Sequence, residues 1–270
     1  MLFKKIPLFL SIPTFVFCAN AFAYEEFFED GYAQFRIGGG VTWLHAKDSE
    51  IGTTSTFGSG TITEVDSLTS STSDNAAALG TMGVGYVIPF DTDSDEEFRW
   101  LPGMIISLDA TYQFESDLTG DVYGYRDPAF DDFNYTYGIQ NTNLLANFTL
   151  GLAEYERWTV FAVGGLGIAW TWIDYMESPK SGVDAGIVTQ TDTHTNTSFA
   201  WQVGGGFGYE VMPELDVTLT YLYTDLDKVQ ASSNLTSEDD FNGTNPHIST
   251  APEFDLSQQS VVLALQWNFL

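Results

Sequence analysis

Eight segments of this chain alternate apolar residues with small polar ones. The clearest places Leu215, Val217, Leu219, Tyr221 and Tyr223 between Asp216, Thr218, Thr220, Leu222 and Thr224. Successive side chains of a β-strand point to opposite faces, so each segment predicts a strand with two unlike faces. The other predicted strands lie at about 34–43, 81–88, 104–114, 143–152, 158–172, 199–210 and 260–269. The sequence therefore predicts an all-β fold.

The polar face of these strands is built from small residues. Gly, Thr, Asn, Gln and Ser dominate it, and long charged side chains are scarce. The polar face of a soluble sandwich meets water, where long charged residues are common. Small polar residues suit instead the narrow interior of a closed barrel whose apolar face meets lipid. We therefore predict an eight-stranded antiparallel up-and-down β-barrel that crosses a membrane.

Aromatic residues near the strand ends fit the two interfacial girdles of such a barrel. Trp158 and Trp170 lie on one predicted strand. The stretch between them, at about 3.3 Å per residue and a tilt of about 40°, spans roughly the 30 Å of a bilayer core. The predicted girdle consists of Trp43, Tyr112, Trp158, Trp170, Trp172, Trp201, Tyr209, Tyr221, Tyr223, Trp267 and Phe269.

The connections between the predicted strands alternate in length. Long ones lie at about 47–75, 116–140, 174–196 and 227–257, and tight ones lie near 154–157 and 212–214. In outer-membrane barrels the long loops face outside and the short turns face the periplasm. The long connections are rich in Ser, Thr, Asp, Asn and Gly, which predicts mobile loops that bury little. The connection PFDTDSDEEFRWLPG is longer than a periplasmic turn requires, and we interpret it as a local elaboration.

The N-terminus has the pattern of a cleaved secretory signal. Lys4 and Lys5 precede an apolar run that is too short to span a bilayer, and the small residues Ala21 and Ala23 form a small-x-small cleavage site before Tyr24. Residues 1–23 would thus be a signal peptide and residues 24–270 a single domain. The only cysteine, Cys18, would leave with the signal, so thiolate and cysteine-zinc chemistry are not expected.

The charge of the chain excludes one class of partner. It carries 37 acidic and nine basic residues, a formal net charge of -28. Nucleic-acid binding requires clusters of Lys and Arg that neutralise phosphates, and these are absent. The sequence therefore does not predict a nucleic-acid partner.

The signal, the eight alternating segments and the closing strand QQSVVLALQWNFL together resemble the small eight-stranded outer-membrane barrels of OmpA/OmpX type. The fragments FAVGGLGIAW and FAWQVGGGFGYEV are similar to opacity-type surface antigens of Gram-negative bacteria. The resemblance implies a place in the cell outer membrane, contact with its lipid and lipopolysaccharide, and recognition of the last strand by the barrel-assembly machinery. It also implies a non-enzymatic surface antigen, adhesin or envelope-structural protein whose loops contact host or matrix molecules.

Four charged residues are predicted to share the lumen. Arg36 is the only basic residue at a predicted inward position. Asp109 and Glu210 face the same lumen, and Asp216 lies near its periplasmic rim. An unpaired charge in a narrow barrel costs several kcal/mol, so these residues predict a paired network that plugs the lumen. A gated ion path is the alternative, although eight strands leave room for little more than side chains.

Two further clusters contain residues that could carry chemistry. Asp91, Asp93 and Asp95 have the spacing that begins a calcium loop, but the glycine and the bidentate glutamate of that loop are missing. A solvated acidic turn is the simpler interpretation, with a loose divalent-cation site as the alternative. His194 with Asp192 offers an acid-base pair, but histidines on surface loops are the simpler account. We predict no catalytic residue, metal or cofactor, with a lipid-modifying enzyme or a small-solute porin as alternative functions.

Overall fold

The computed structural model describes residues 31–57, 60–72, 76–90, 97–182, 189–234 and 247–269. The predicted signal peptide and the acidic turn with Asp91, Asp93 and Asp95 lie outside these residues. Within the described ranges, no helix is long and apolar enough to span a membrane.

Thirteen strands and one short 3₁₀ helix (Gly124–Arg126) lie in the described part of the chain. The strands are β1 (Tyr32–Ala46), β2 (Ser49–Phe57), β3 (Gly60–Leu68), β4 (Ser71–Thr72), β5 (Ala77–Pro89), β6 (Phe98–Trp100), β7 (Gly103–Tyr123), β8 (Phe133–Tyr155), β9 (Trp158–Pro179), β10 (His194–Met212), β11 (Leu215–Gln230), β12 (His247–Thr250) and β13 (Glu253–Phe269).

Eight of these strands close into a ring. Their order is β1, β5, β7, β8, β9, β10, β11, β13 and back to β1, and every neighbouring pair is antiparallel. The last strand closes on the first, with Ala33 paired to Phe269 and Ala46 to Leu256. A bilayer offers no hydrogen bonds to the backbone, and a closed ring leaves the wall no unpaired edge. The predicted eight-stranded antiparallel barrel is confirmed.

The two faces of the wall alternate as the sequence predicts. On β13, Ala264 and Gln266 are buried inside the ring, whereas Leu263 and Leu265 are exposed on its outer surface. The tight turns after β8 and β10 mark the periplasmic end, because short turns face the periplasm in such barrels. We call the opposite end the outer end.

The strands continue further at the outer end than the sequence indicated. β7, β8 and β9 contain 21, 23 and 22 residues, about twice the 9–11 residues that cross a bilayer. They extend into the expected loops at 116–140 and 174–196, since β7 ends at Tyr123, β8 begins at Phe133 and β9 ends at Pro179. The expected bounds differ because an apolar outward face marks only the lipid-facing part of a strand, and the strands continue beyond it.

The expected loop at 47–75 contains a β-hairpin. β2 and β3 pair from Ser49 with Leu68 to Phe57 with Gly60. β3 joins the wall through β7, and β12, which lies within the expected loop at 227–257, pairs with β2. The sheet thus extends beyond the ring at its outer end.

The long periplasmic connection also contains a strand. β6 pairs with the end of β8, with Phe98 opposite Tyr155 and Trp100 opposite Ala153. The local elaboration expected from the sequence is therefore, in its described part, an added strand beside the wall.

The hydrophobic core fills the inside of the outer end. Tyr137 lies with its ring centroid 5.3 Å from that of Tyr175 and 4.5 Å from that of Phe254, and Tyr135 lies 5.0 Å from Tyr137. We call these four residues the aromatic plug. Aliphatic side chains surround it, among them Leu44, Ile51, Leu68, Leu118, Ile139, Ile173, Leu226 and Leu256.

Candidate functional site

A chain of polar side chains crosses the lumen in the periplasmic half of the barrel. Arg36 Nη2 lies 2.6 Å from Asp109 Oδ1. Asp109 Oδ2 accepts hydrogen bonds from Ser107 Oγ at 2.6 Å and from Asn147 Nδ2 at 2.6 Å. Gln202 Nε2 in turn donates to Asn147 Oδ1 at 2.6 Å. These residues, which we call the polar belt, connect β1, β7, β8 and β10 through the interior.

Two glycines leave space for the polar belt. Gly83 is paired with Asp109 across β5 and β7, and Gly165 is paired with Asn147 across β8 and β9. A Cβ atom on Gly83 would overlap the Asp109 carboxylate, and one on Gly165 would overlap the Asn147 carboxamide. Part of the glycine content of the inward face therefore follows from the size of the neighbouring polar side chains.

The structure separates the four predicted lumen charges into two groups. Arg36 and Asp109 form the ion pair of the polar belt. Glu210 and Asp216 are paired across β10 and β11 nearer the periplasmic end, where Asp216 Oδ2 accepts from Asn268 Nδ2 at 2.9 Å. All four residues line one cavity of about 300 Å³. They share a cavity without forming a single hydrogen-bonded network.

Arg99 was missed by the sequence analysis. It lines the same cavity and forms an ion pair with Glu154, the residue opposite it on β8. The prediction that Arg36 is the only basic residue facing the lumen is therefore wrong. Arg99 lies in β6, within a segment interpreted as a turn, so its inward direction was not apparent from strand periodicity.

The hydroxyl groups of the aromatic plug all have partners. Tyr137 Oη lies 3.3 Å from Ser49 Oγ, Tyr135 donates to the carbonyl of Thr69, and Tyr175 donates to Glu177 Oε1. These tyrosines lie beyond the membrane-spanning part of the wall. Burial raises the pKa of Tyr135 to about 12 and raises the pKa of Tyr137 and Tyr175 above the usual value for tyrosine. The plug therefore stays neutral and hydrogen-bonded over the physiological range of pH.

Three carboxyl groups lie beside the plug and outside the membrane-spanning segments. Burial raises the pKa of Glu177, Glu64 and Asp66, and the proximity of Asp66 further raises that of Glu64. Within the described chain, no group of three or more His, Cys, Asp or Glu residues is arranged to hold a metal ion. The raised pKa values mean that these three carboxyl groups are protonated more readily than exposed carboxyl groups.

The predicted girdle residues point away from the lumen and fall into two groups. At the periplasmic end the ring centroids of Trp158 and Tyr209 are 4.7 Å apart, and towards the outer end those of Trp201 and Tyr223 are 5.7 Å apart. The periplasmic group also contains Trp267 and Phe269, and the outer group also contains Trp43, Tyr112, Trp170, Trp172 and Tyr221.

The suggested catalytic pair does not form. The backbone N–H of Asp192 donates to the Asn234 carbonyl at 3.1 Å, and His194 is exposed. Among the described residues no hydrogen bond or ion pair joins Asp192 to His194. The geometry thus provides no support for acid-base chemistry at this position.

A closed eight-stranded ring with an apolar outer surface and a polar periplasmic lumen defines a transmembrane β-barrel. The sequence matches the family described as outer membrane protein beta-barrel domain over residues 9–269, and the chain belongs to that family. It is a protein of the Gram-negative outer membrane.

One similar protein is the outer membrane protein PagN of Salmonella typhimurium. The two are 24% identical over 132 residues, which are 48% of this chain and 52% of PagN. The chain thus matches about half the length of this relative.

Two similar solved structures are the outer membrane protease OmpT of Escherichia coli and OprG of Pseudomonas aeruginosa. OmpT is 10% identical with a TM-score of 0.47, and the alignment covers 88% of this chain and 97% of OmpT. OprG is 15% identical with a TM-score of 0.43, covering 88% and 96%.

Proposed function

We propose that this protein is a non-enzymatic outer-membrane barrel that acts by presenting a structured surface outside the cell, as an adhesin or surface antigen. The proposal rests chiefly on the aromatic plug. Tyr135 and Tyr137 are 1% exposed and Tyr175 is 0% exposed, inside a lumen that a solute would have to cross. The sheet continues past this plug, so the ordered part of the protein outside the membrane is large enough to contact a partner.

The remaining expectations fit this proposal. Residues 1–23 are removed on export, and residues 24–270 form one domain whose long connections lie outside the cell. The girdle meets lipid and lipopolysaccharide, and the last strand, ending at Phe269, is recognised during barrel assembly. The polar belt stabilises and narrows the periplasmic half of the lumen, and the aromatic plug closes the path that ions would take.

Conductance across planar lipid bilayers tests the closed lumen. We expect the purified barrel to give no steady single-channel conductance. A variant with Tyr135→Ala, Tyr137→Ala and Tyr175→Ala removes most of the aromatic plug and is expected to conduct, at least intermittently. Steady conductance by the unchanged protein would support a small-solute pore instead.

A deletion strain tests the surface role. We expect loss of adhesion to host or matrix surfaces, restored by the intact gene, with unchanged permeability of the envelope. Deacylation of lipid A by the purified barrel, abolished by His194→Ala, would overturn the non-enzymatic proposal.

A further inference from the structure

The connection between β7 and β8 is a tightly bonded loop. Gly124 N–H donates to the Phe130 carbonyl at 3.0 Å, Asp127 N–H to the Gly124 carbonyl at 3.0 Å, and Phe130 N–H to the Asp127 carbonyl at 2.9 Å. Tyr125 and Arg126 have φ values of 53° and 60°, which residues other than glycine seldom adopt. Such a backbone persists only where its surroundings hold it, and strained positions of this kind concentrate at functional sites.

Neighbouring elements fix this loop. The Tyr125 N–H donates to Asp66 Oδ1 at 2.9 Å, and Arg126 Nη2 lies 2.5 Å from Glu50 Oε2. At its other side Lys180 Nζ lies 2.6 Å from Asp121 Oδ1 and pairs also with Asp131. The β2–β3 hairpin and the end of β9 therefore hold the loop in one arrangement.

This fixed loop exposes two aromatic rings beyond the membrane. Tyr125 is 63% exposed and Phe130 is 50% exposed, with ring centroids 5.9 Å apart in an edge-to-face arrangement. We call the pair the aromatic tip. Exposed aromatics on an ordered scaffold are typical of interaction sites, because they bind without a large loss of conformational entropy.

The charge around the tip indicates the kind of partner. Each described basic residue beyond the outer rim is already in an ion pair with a carboxylate: Lys47, Arg126, Lys180 and Lys228. Asp127 and Asp132, by contrast, are exposed and form no ion pair with any described residue. The tip therefore offers aromatic faces, which attract cations, beside carboxylates that are not neutralised.

We propose that the aromatic tip docks a lysine- or arginine-rich segment of a partner protein. The proposal rests on the surface role proposed above and specifies the chemistry of the partner. The same negative charge repels polyanionic glycans and lipopolysaccharide, so these are poor occupants of the tip.

Binding of a fluorescent deca-lysine peptide tests the tip, measured by anisotropy on the full barrel in phosphatidylcholine nanodiscs. The double variant Tyr125→Ala/Phe130→Ala is expected to bind about three- to tenfold more weakly. Tyr125→Leu/Phe130→Leu keeps apolar bulk without aromatic faces and is expected to lose a similar amount. Met176→Ala, which shortens another exposed apolar side chain, is the matched control and is expected to bind like the unchanged protein.

A second pair of variants separates the aromatic contribution from the charge. Asp127→Asn/Asp132→Asn is expected to weaken binding at about 50 mM salt, and the difference is expected to shrink at about 500 mM, where charges are screened. Different gel migration before and after boiling verifies that each variant folds.

Three results would overturn the proposal: no binding of the peptide, unchanged binding by both aromatic double variants, or tighter binding of a heparin fragment than of the peptide. Adhesion that persists in the aromatic double variants would refute the tip but leave the surface role intact. A conducting barrel or a deletion strain that adheres normally would refute the surface role itself.

Discussion

The two halves of strand β8 have opposite patterns. In the periplasmic half, Asn147 and Thr149 point inward while Leu144 and Phe148 point outward. In the outer half, Tyr135, Tyr137 and Ile139 point inward, and their polar neighbours Asn134 and Thr136 point outward. One strand with one unbroken alternation thus exchanges its polar and apolar faces part way along.

β13 repeats the exchange in the opposite chain direction. Its outer half turns Phe254 and Leu256 inward, whereas its periplasmic half turns Leu263 and Leu265 outward. The physical reason is the medium outside the wall. Water around the outer half drives apolar side chains inward, and lipid around the periplasmic half accepts them on the outside. The interior of the periplasmic half is therefore left to polar groups, whose hydrogen bonds define its arrangement.

Removing one partner of the polar belt should have the largest effect. Asp109→Leu leaves Arg36 without its carboxylate inside the lumen and should lower the free energy of unfolding by about 3–5 kcal/mol. The double variant Arg36→Met/Asp109→Leu should recover much of this loss, because no charge is left unpaired. Urea unfolding followed by tryptophan fluorescence measures both. If the single and double variants lost equal free energies of unfolding, an unpaired Arg36 would not destabilise the periplasmic half.

A cavity in the aromatic plug should affect the outer half alone. Tyr137→Ala should cost about 3 kcal/mol by analogy with other aromatic truncations. Hydrogen exchange should lose protection at the outer ends of β8, β9 and β13 but keep it near Asn147. Tyr137→Phe loses only the hydrogen bond to Ser49 and should cost about 1 kcal/mol. Uniform loss of protection along the strands would contradict a separate outer half.

The space above Gly83 allows a narrower test of the polar belt. Gly83→Ala places a methyl group against the Asp109 carboxylate and should cost about 1–3 kcal/mol. Gly80 is on the same strand, and a Cβ atom there would meet nothing within 4 Å, so Gly80→Ala is the matched control. Similar stability of the two variants would show that Asp109 moves aside without cost.

The smallest expected effect is a dependence on pH confined to the outer half. Burial raises the pKa of Glu177 in the folded protein, so the folded state holds this proton more tightly than the unfolded state. The outer half should therefore gain stability as pH falls from neutral towards the usual carboxyl range, and lose it as pH rises through the raised pKa. Glu177→Gln should reduce this dependence and stabilise the outer half at neutral pH. Denaturation midpoints at about pH 5 and about pH 7.5 compare the two proteins. A denaturation midpoint that is lower at about pH 5 than at about pH 7.5 would contradict this prediction.

The wall of the barrel was predictable because lipid requires apolar side chains on the outward face of each strand. Leu263 and Leu265 could be placed from alternation alone, and Arg36 and Asp109 were recognised as inward charges. The outer half was missed because its apolar residues change sides. Tyr135 and Tyr137 alternate with Asn134 and Thr136 as regularly as the residues of any wall segment. A strand surrounded by lipid would have apolar residues on its outward face, so this pattern does not predict a wall strand.

The site was less predictable than the wall for a different reason. Arg99 meets Glu154 through a short strand whose sequence shows no periodicity, and Asn147 contacts Asp109 through a register that one sequence does not define. The aromatic tip depends on positive φ angles at Tyr125 and Arg126, which no residue preference at those positions indicates. Pairing and loop conformation are consequences of the whole fold.

Spin labels along the outward face of β8 test the exchange of faces most directly. Cys18 is the only cysteine of the chain, so single cysteines at Thr136, Thr142 and Phe148 can be labelled selectively in a Cys18→Ala background. We predict that the label at Phe148 collides mainly with oxygen dissolved in lipid, that the label at Thr136 collides mainly with a water-soluble nickel complex, and that Thr142 is intermediate. The same preference at all three positions would contradict the account, because β8 would then face one medium along its whole length.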